Sequence, residues 1–306
     1  MHTASKRWTS LLLMGLTAVW CAASIGSQAT FASPDEAANA LLAALESDDY
    51  PSFLAVAGRQ MAGFWSTGDP ERDAWDRSSF VDAARKNGIR ADAEVADRRM
   101  LYAGRIEHPF PAPLVKTDAG WQFDDEAGSK ELVSQRIRRN EIAVIELCQR
   151  FREAEYAYFA MALEGVSAFA PRIRSTPGRH DGLFWADGGE EDQSPMGPPF
   201  AAAAFGERQA ADGTRPLFGY YFKILSAQGP DAAGGALDYH TNGRLRKGFA
   251  LIAWPAEYGV DGTQSFLINH FADIYQRDLG ADTSRIAENL TVFNPDRNWR
   301  RFNGLD

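Results

Sequence analysis

Cysteine is nearly absent from this sequence. Two occur in 306 residues, Cys21 and Cys148, which excludes a disulfide-dense scaffold. A basic surplus is also missing. Thirty-two Lys and Arg face 41 Asp and Glu, a net charge of −9, whereas a protein that neutralises a phosphate backbone needs the opposite balance. The composition therefore argues against nucleic acid as a partner. Catalytic signatures are absent too: no Gly-x-Ser-x-Gly elbow, no His-Glu-x-x-His, no phosphate loop, no glycine fingerprint after a strand and no cysteine cluster. With 45% hydrophobic and 24% charged residues, what remains is an ordinary globular composition, long enough for two domains.

One apolar run is present, and it stands at the start. Lys6 and Arg7 precede an apolar stretch that includes Leu11, Leu12, Leu13, Leu16 and Val19, followed by small residues. That order reads as a secretory signal peptide over residues 1–32, with cleavage after Ala29 or Ala32. The expected location is periplasmic or secreted, with no membrane span left after cleavage. These 32 residues carry Lys6 and Arg7 but no acid, so their loss takes the charge from −9 to −11. It also leaves Cys148 alone, inside an apolar helical pattern, as a buried and inert thiol.

The rest reads as α+β. Ser33, Pro34 and Glu36 make a helix start with a capping box. Further helices are expected over residues 50–57 and 71–86. A hairpin pairs residues 113–115 with 121–123, completing a small α+β unit over 33–139. Residues 129–164 carry the longest helical pattern, with Val144, Cys148, Phe151, Ala154 and Tyr158 on one stripe. A helix of that length is expected to join two units. The second, 140–306, adds an antiparallel sheet from strands near residues 217–225, 248–254, 264–269 and 274–279, closed by a short helix and the aromatics Phe293, Trp299 and Phe302.

Chemistry-bearing groups are sparse. His180 and Asp181 with Ser194 nearby could form a nucleophilic site, the basis of a periplasmic hydrolase reading. The competing reading makes Asp181-Gly182 a turn ahead of a buried Leu183-Phe184-Trp185. His108, His180, His240 and His270 are spread along the chain and read as solvated surface groups. The acidic residues Asp187, Glu190, Glu191 and Asp192 read as a solvated loop or as a Ca²⁺ site, with no other cofactor indicated. The aromatics Tyr220, Tyr221, Trp254 and Tyr258 could face outward and bind a glycan or another envelope protein. Neighbours on a strand point to opposite faces, so only one of Tyr220 and Tyr221 is expected in the core. Together these features favour non-enzymatic binding or scaffolding in the cell envelope.

Two resemblances add to this. Asn140-Glu141-Ile142-Ala143-Val144-Ile145 with Ala154-Glu155-Tyr156, and the later Gly219-Tyr220-Tyr221-Phe222, Gly248-Phe249-Ala250 and Phe266-Leu267-Ile268-Asn269, resemble the helix and sheet of a pilin head. The segment ahead of that helix holds Lys130, Glu131, Arg136, Arg138 and Arg139 where pilins are apolar, so the resemblance implies a head-like fold without fibre assembly. Over nearly the whole chain, the order of Gly120-Trp121-Gln122-Phe123-Asp124, Asn140-Glu141, Asp181-Gly182-Leu183-Phe184-Trp185, Gln193 to Pro198, the Gly219 stretch, Pro255 to Gly259 and Asp278-Leu279-Gly280 is similar to the exported bacterial domain-of-unknown-function family 2950. That resemblance implies a periplasmic location and supplies no catalytic residue.

Overall fold

A computed structural model describes residues 27–66, 70–92, 96–104, 108–186, 193–204, 206 and 215–304. The architecture is α+β in two compact units, which divide between Ala127 and Gly128, within the first turn of the longest helix.

In the first unit, Ser33 Oγ accepts the Glu36 N–H at 3.2 Å and Glu36 answers by accepting the Ala32 N–H at 2.9 Å, the reciprocal cap that starts the helix Pro34–Glu46. That helix buries Ala37, Leu41 and Leu45. The core is aromatic: Phe110 packs against Phe53, Phe64, Phe80 and Phe123 at ring separations of 5.2 to 6.5 Å. Two small antiparallel sheets frame it, one of them containing the expected hairpin, Leu114–Thr117 with Gly120–Phe123.

The hairpin also takes up the end of the N-terminal segment. Phe31 is buried and exchanges both backbone hydrogen bonds with Trp121, at 2.8 and 2.7 Å. Gly120 has φ +126°, and a Cβ there would stand 2.6 Å from the Phe31 carbonyl oxygen, so the turn is built to admit this strand. Gln28 reaches in as well, donating to the Val56 and Phe123 carbonyls. Residues 28–32 are thus part of the folded unit, and cleavage after Ala32 would tear out a paired strand. A chain beginning at Ser33 is expected to lose about 2–3 kcal/mol relative to one beginning at Gln28, through the lost Phe31 burial and two backbone bonds. Denaturant unfolding of the two truncations checks this, and equal midpoints would refute it.

The longest helix, Asp125–Met161, is started by Asp124 accepting the Ala127 N–H at 3.0 Å and stopped where Ala162 turns left-handed, φ 46°; from Gly128 on it belongs to the second unit. At 1.5 Å per residue it is roughly 55 Å long. Its buried face, Val144, Leu147, Cys148, Phe151, Ala154 and Tyr158, joins the core of the second unit. That core is completed by a five-stranded antiparallel sheet in the order Arg300–Arg301, Ile274–Asp278, Gln264–Asn269, Ala250–Pro255 and Tyr220–Leu225. The Ala250–Pro255 strand is buried at every position. Both of its faces are therefore covered, one by the cluster shared with the long helix and the other with help from the helix Thr283–Asn289, which packs on it and is pinned by Lys223 Nζ donating to the Ala287 and Glu288 carbonyls. Among the described residues, no helix is long and apolar enough to cross a membrane.

Cys148 is fully buried, and burial pushes its thiol up to about 12. In protein freed of residues 1–27 it should take no thiol label while folded and should label fully in denaturant. Labelling of the folded protein at a free-thiol rate would contradict the packing.

Candidate functional site

The polar residues that the sequence singles out sort into a structural cluster and a cleft, both within the second unit. The cluster explains Asn140-Glu141. Asn140 donates to the Asp261 carbonyl at 2.8 Å, and Glu141 Oε1 accepts three hydrogen bonds, from the Thr263 N–H, the Thr263 hydroxyl and the Gln264 N–H, at 2.9 to 3.0 Å. One helical turn thus fixes the loop that leads into the Gln264–Asn269 strand. Tyr220 completes the lock from below. Its hydroxyl donates to the Gln264 carbonyl at 2.8 Å, and burial, reinforced by the charges of Glu141 and Asp261, holds its pKa far above the ordinary tyrosine value. Asn140, Glu141 Oε1 and the Tyr220 hydroxyl are thus spent on holding this loop.

The cleft lies at the C-terminal end of the long helix. After the left-handed turn at Ala162 the chain doubles back, and its path is fixed at two points: Phe169 N–H donates to the Leu245 carbonyl at 2.7 Å, and Ala170 N–H donates to Glu155 Oε2 at 2.8 Å. Glu155 stands where the helical stripe Phe151, Glu155, Tyr158 calls for an apolar side chain. It is completely buried, its Oε1 has no partner, and burial raises its pKa well above the ordinary glutamate value against the opposing Ala170 hydrogen bond.

The opposite wall comes from residues 172–185. Phe184 N–H donates to the Ile173 carbonyl and Ser175 N–H to the Phe184 carbonyl, at 2.9 and 2.8 Å. A Cβ on Gly182 would meet the Ser175 nitrogen at 2.7 Å, so only glycine permits this approach. Asp181 closes the turn by accepting the Thr176 N–H at 2.6 Å and its hydroxyl at 2.8 Å. Partial burial pushes the Asp181 pKa up, but those two bonds and the charge of Arg172 outweigh it and leave the carboxyl below the ordinary value. His180 stacks on Trp185 with ring centroids 4.3 Å apart, and its carbonyl accepts the Tyr158 hydroxyl at 2.7 Å.

Between these walls is a cavity of about 680 Å³, in the size range of small-molecule sites. Tyr158, Phe169 and Leu245 form its buried floor, Leu163, Val166 and Ala168 its half-buried side, and the exposed Arg179 and Arg244 its mouth.

The expected site residues fare unevenly. Tyr220 and Trp254 are wholly buried, because both faces of the sheet are covered, so they cannot meet a ligand at the surface. Tyr221 is half-buried beside Trp254, with ring centroids 6.1 Å apart, and the half-buried Tyr258 donates to Asp278 at 3.2 Å. Of the adjacent pair, Tyr220 is the core residue. The hydrolase constellation is not assembled: Asp181 is held by Thr176, and the Ser194 hydroxyl donates its proton to the Met196 carbonyl at 2.9 Å. His270 is buried and not solvated. It sits in the tight turn between two core strands, with its N–H on the Phe249 carbonyl and its ring against Tyr239. Asp187, Glu190, Glu191 and Asp192 lie outside the described residues. Among the described residues, no group of three or more His, Cys, Asp or Glu is placed to hold a metal ion.

The sequence reading missed Arg179, Arg244 and Tyr158 as neighbours, since the topology brings together positions far apart in the chain. Glu155 carried a usable signal, a carboxylate on an otherwise apolar stripe.

No curated protein and no solved structure matches this chain. A family model does match, over residues 28–302, beginning at the first residue seen docked in the N-terminal unit. By that match the chain belongs to the family described as "Protein of unknown function (DUF2950)".

Proposed function

We propose that this is an exported binding protein of the cell envelope, without catalytic activity, whose ligand occupies the cleft at the end of the long helix. The observation that carries this reading is the cavity itself: about 680 Å³, floored by Tyr158, Phe169 and Leu245 and fixed by backbone hydrogen bonds on both sides. A preformed cleft of this size, which sets apolar side chains such as Phe169 and Leu245 beside polar and charged ones such as Arg179 and His180, is suited to binding. The hydrolase alternative is disfavoured because its serine and aspartate are engaged elsewhere. The pilin-head likeness is consistent with a helix packed on an antiparallel sheet, an arrangement suited to making contacts. Export is read from the basic and apolar residues 1–27, and the packing of residues 28–32 in the first unit supports a cut upstream of Gln28.

A neutral apolar fluorophore such as N-phenyl-1-naphthylamine should bind the chain one to one. Ala168→Trp, which fills the cleft from a half-buried position, should abolish that binding while leaving the melting transition cooperative. Undiminished binding by this variant would defeat the reading. The processed protein recovered from the periplasm should begin upstream of Gln28, and an unprocessed, membrane-bound chain would overturn the export assignment.

A further inference from the structure

The chemistry of the cleft mouth narrows the ligand class, an inference that rests on the cleft being the binding site. The chain carries a net charge of −9, yet two guanidinium groups, Arg179 and Arg244, stand exposed at the mouth. The carboxylate among the lining residues, Asp181, makes no ion pair with Arg179: its oxygens accept from Thr176, and the guanidinium that acts on its charge is that of Arg172. Arg179 makes no side-chain hydrogen bond or ion pair among the described residues; only its backbone N–H is engaged, on the Thr176 carbonyl at 2.9 Å. Below this mouth, the floor and side offer aromatic and aliphatic surface.

A wholly polar ligand such as a neutral sugar would leave the apolar surface of Phe169, Leu245, Leu163 and Val166 unused. A cation would meet the guanidinium groups. A single negative charge can be held locally by Arg179. We propose that the cleft binds an aliphatic monocarboxylate, with its alkyl chain on the Phe169–Leu245 floor and its carboxylate against Arg179 at the mouth.

Calorimetric titration of the whole chain with decanoate, decanol and decylamine, each below its aggregation threshold, tests this. Decanoate should bind one to one and at least tenfold more tightly than decanol or decylamine, and added salt should erode that advantage. Arg179→Gln should remove most of it and leave decanol binding unchanged. Because Arg179 is exposed, this variant is expected to fold, and an unaltered melting curve verifies that. Ala168→Trp should abolish binding of all three. If decanol equals decanoate, or Arg179→Gln changes nothing, the anionic class is wrong while the cleft remains a binding site. If none of the three binds, or if binding persists in Ala168→Trp, this inference is overturned, and the cleft reading falls with it when the neutral fluorophore behaves the same way.

Discussion

Gly262→Ala is expected to cost the second unit about 4 kcal/mol, far more than an added methyl group usually does. A Cβ at this position would overlap the Tyr220 hydroxyl and stand 2.6 Å from the ring carbon that bears it. Relief would require either the ring or the loop to move. The ring is wholly buried, and its hydroxyl is committed to the Gln264 carbonyl. The loop is held from the helix by Asn140 on the Asp261 carbonyl and by the three hydrogen bonds that end on Glu141. Neither side can give without breaking bonds, which is why the strain stays in the native state. Urea unfolding followed by tryptophan fluorescence would measure the loss. The same substitution in a Tyr220→Phe background should cost distinctly less, since the nearest obstacle is gone, giving a coupling of about 1 kcal/mol or more. A loss under about 1 kcal/mol for Gly262→Ala alone would mean that the lock between helix and loop is loose.

That lock shows how far the sequence could be read. The elements follow from local rules: Ser33 and Glu36 cap a helix, the stripe from Val144 to Tyr158 buries one, and hydrophobic runs mark the strands. Asn140-Glu141 was visible as a motif, but its purpose was not. Its partners lie more than a hundred residues away, and only sheet register brings Thr263 and Gln264 beneath Glu141. The aromatic surface loses Tyr220 and Trp254 for a related reason. Alternation along a strand tells which residues share a face, and it correctly splits Tyr220 from Tyr221, but it says nothing of whether the outer face is covered. Here the Thr283–Asn289 helix covers part of it, so Trp254 is as buried as Tyr220. The cleft was not legible, because its lining comes from residues 158–181 and 243–245, which only the fold brings together.

Glu155 should make the stability of the second unit fall as the solution becomes alkaline, and Glu155→Gln should remove that dependence. The sign follows from the raised pKa. Burial keeps the native carboxyl protonated at pH values where the unfolded chain has already lost its proton. The native state therefore binds the extra proton, and its stabilising contribution is complete below the ordinary glutamate pKa. It is lost as pH climbs towards the raised native value, at roughly 1.4 kcal/mol per pH unit. Gln keeps the carbonyl oxygen that accepts the Ala170 N–H and cannot ionise. Near pH 4 the variant and the parent should unfold at the same denaturant concentration; at alkaline pH the variant should be the more stable. Glu155→Ala should lose stability at every pH, since it strands the buried Ala170 N–H and opens a cavity beside Phe151 and Tyr158. Parallel pH profiles for the parent and Glu155→Gln would show that the carboxyl is already ionised in the folded protein. Because Ala170 lies between Phe169 and Pro171 in the cleft wall, the same titration should weaken fluorophore binding at alkaline pH in the parent and leave it flat in Glu155→Gln, which ties the one misfit on the helical stripe to the shape of the pocket.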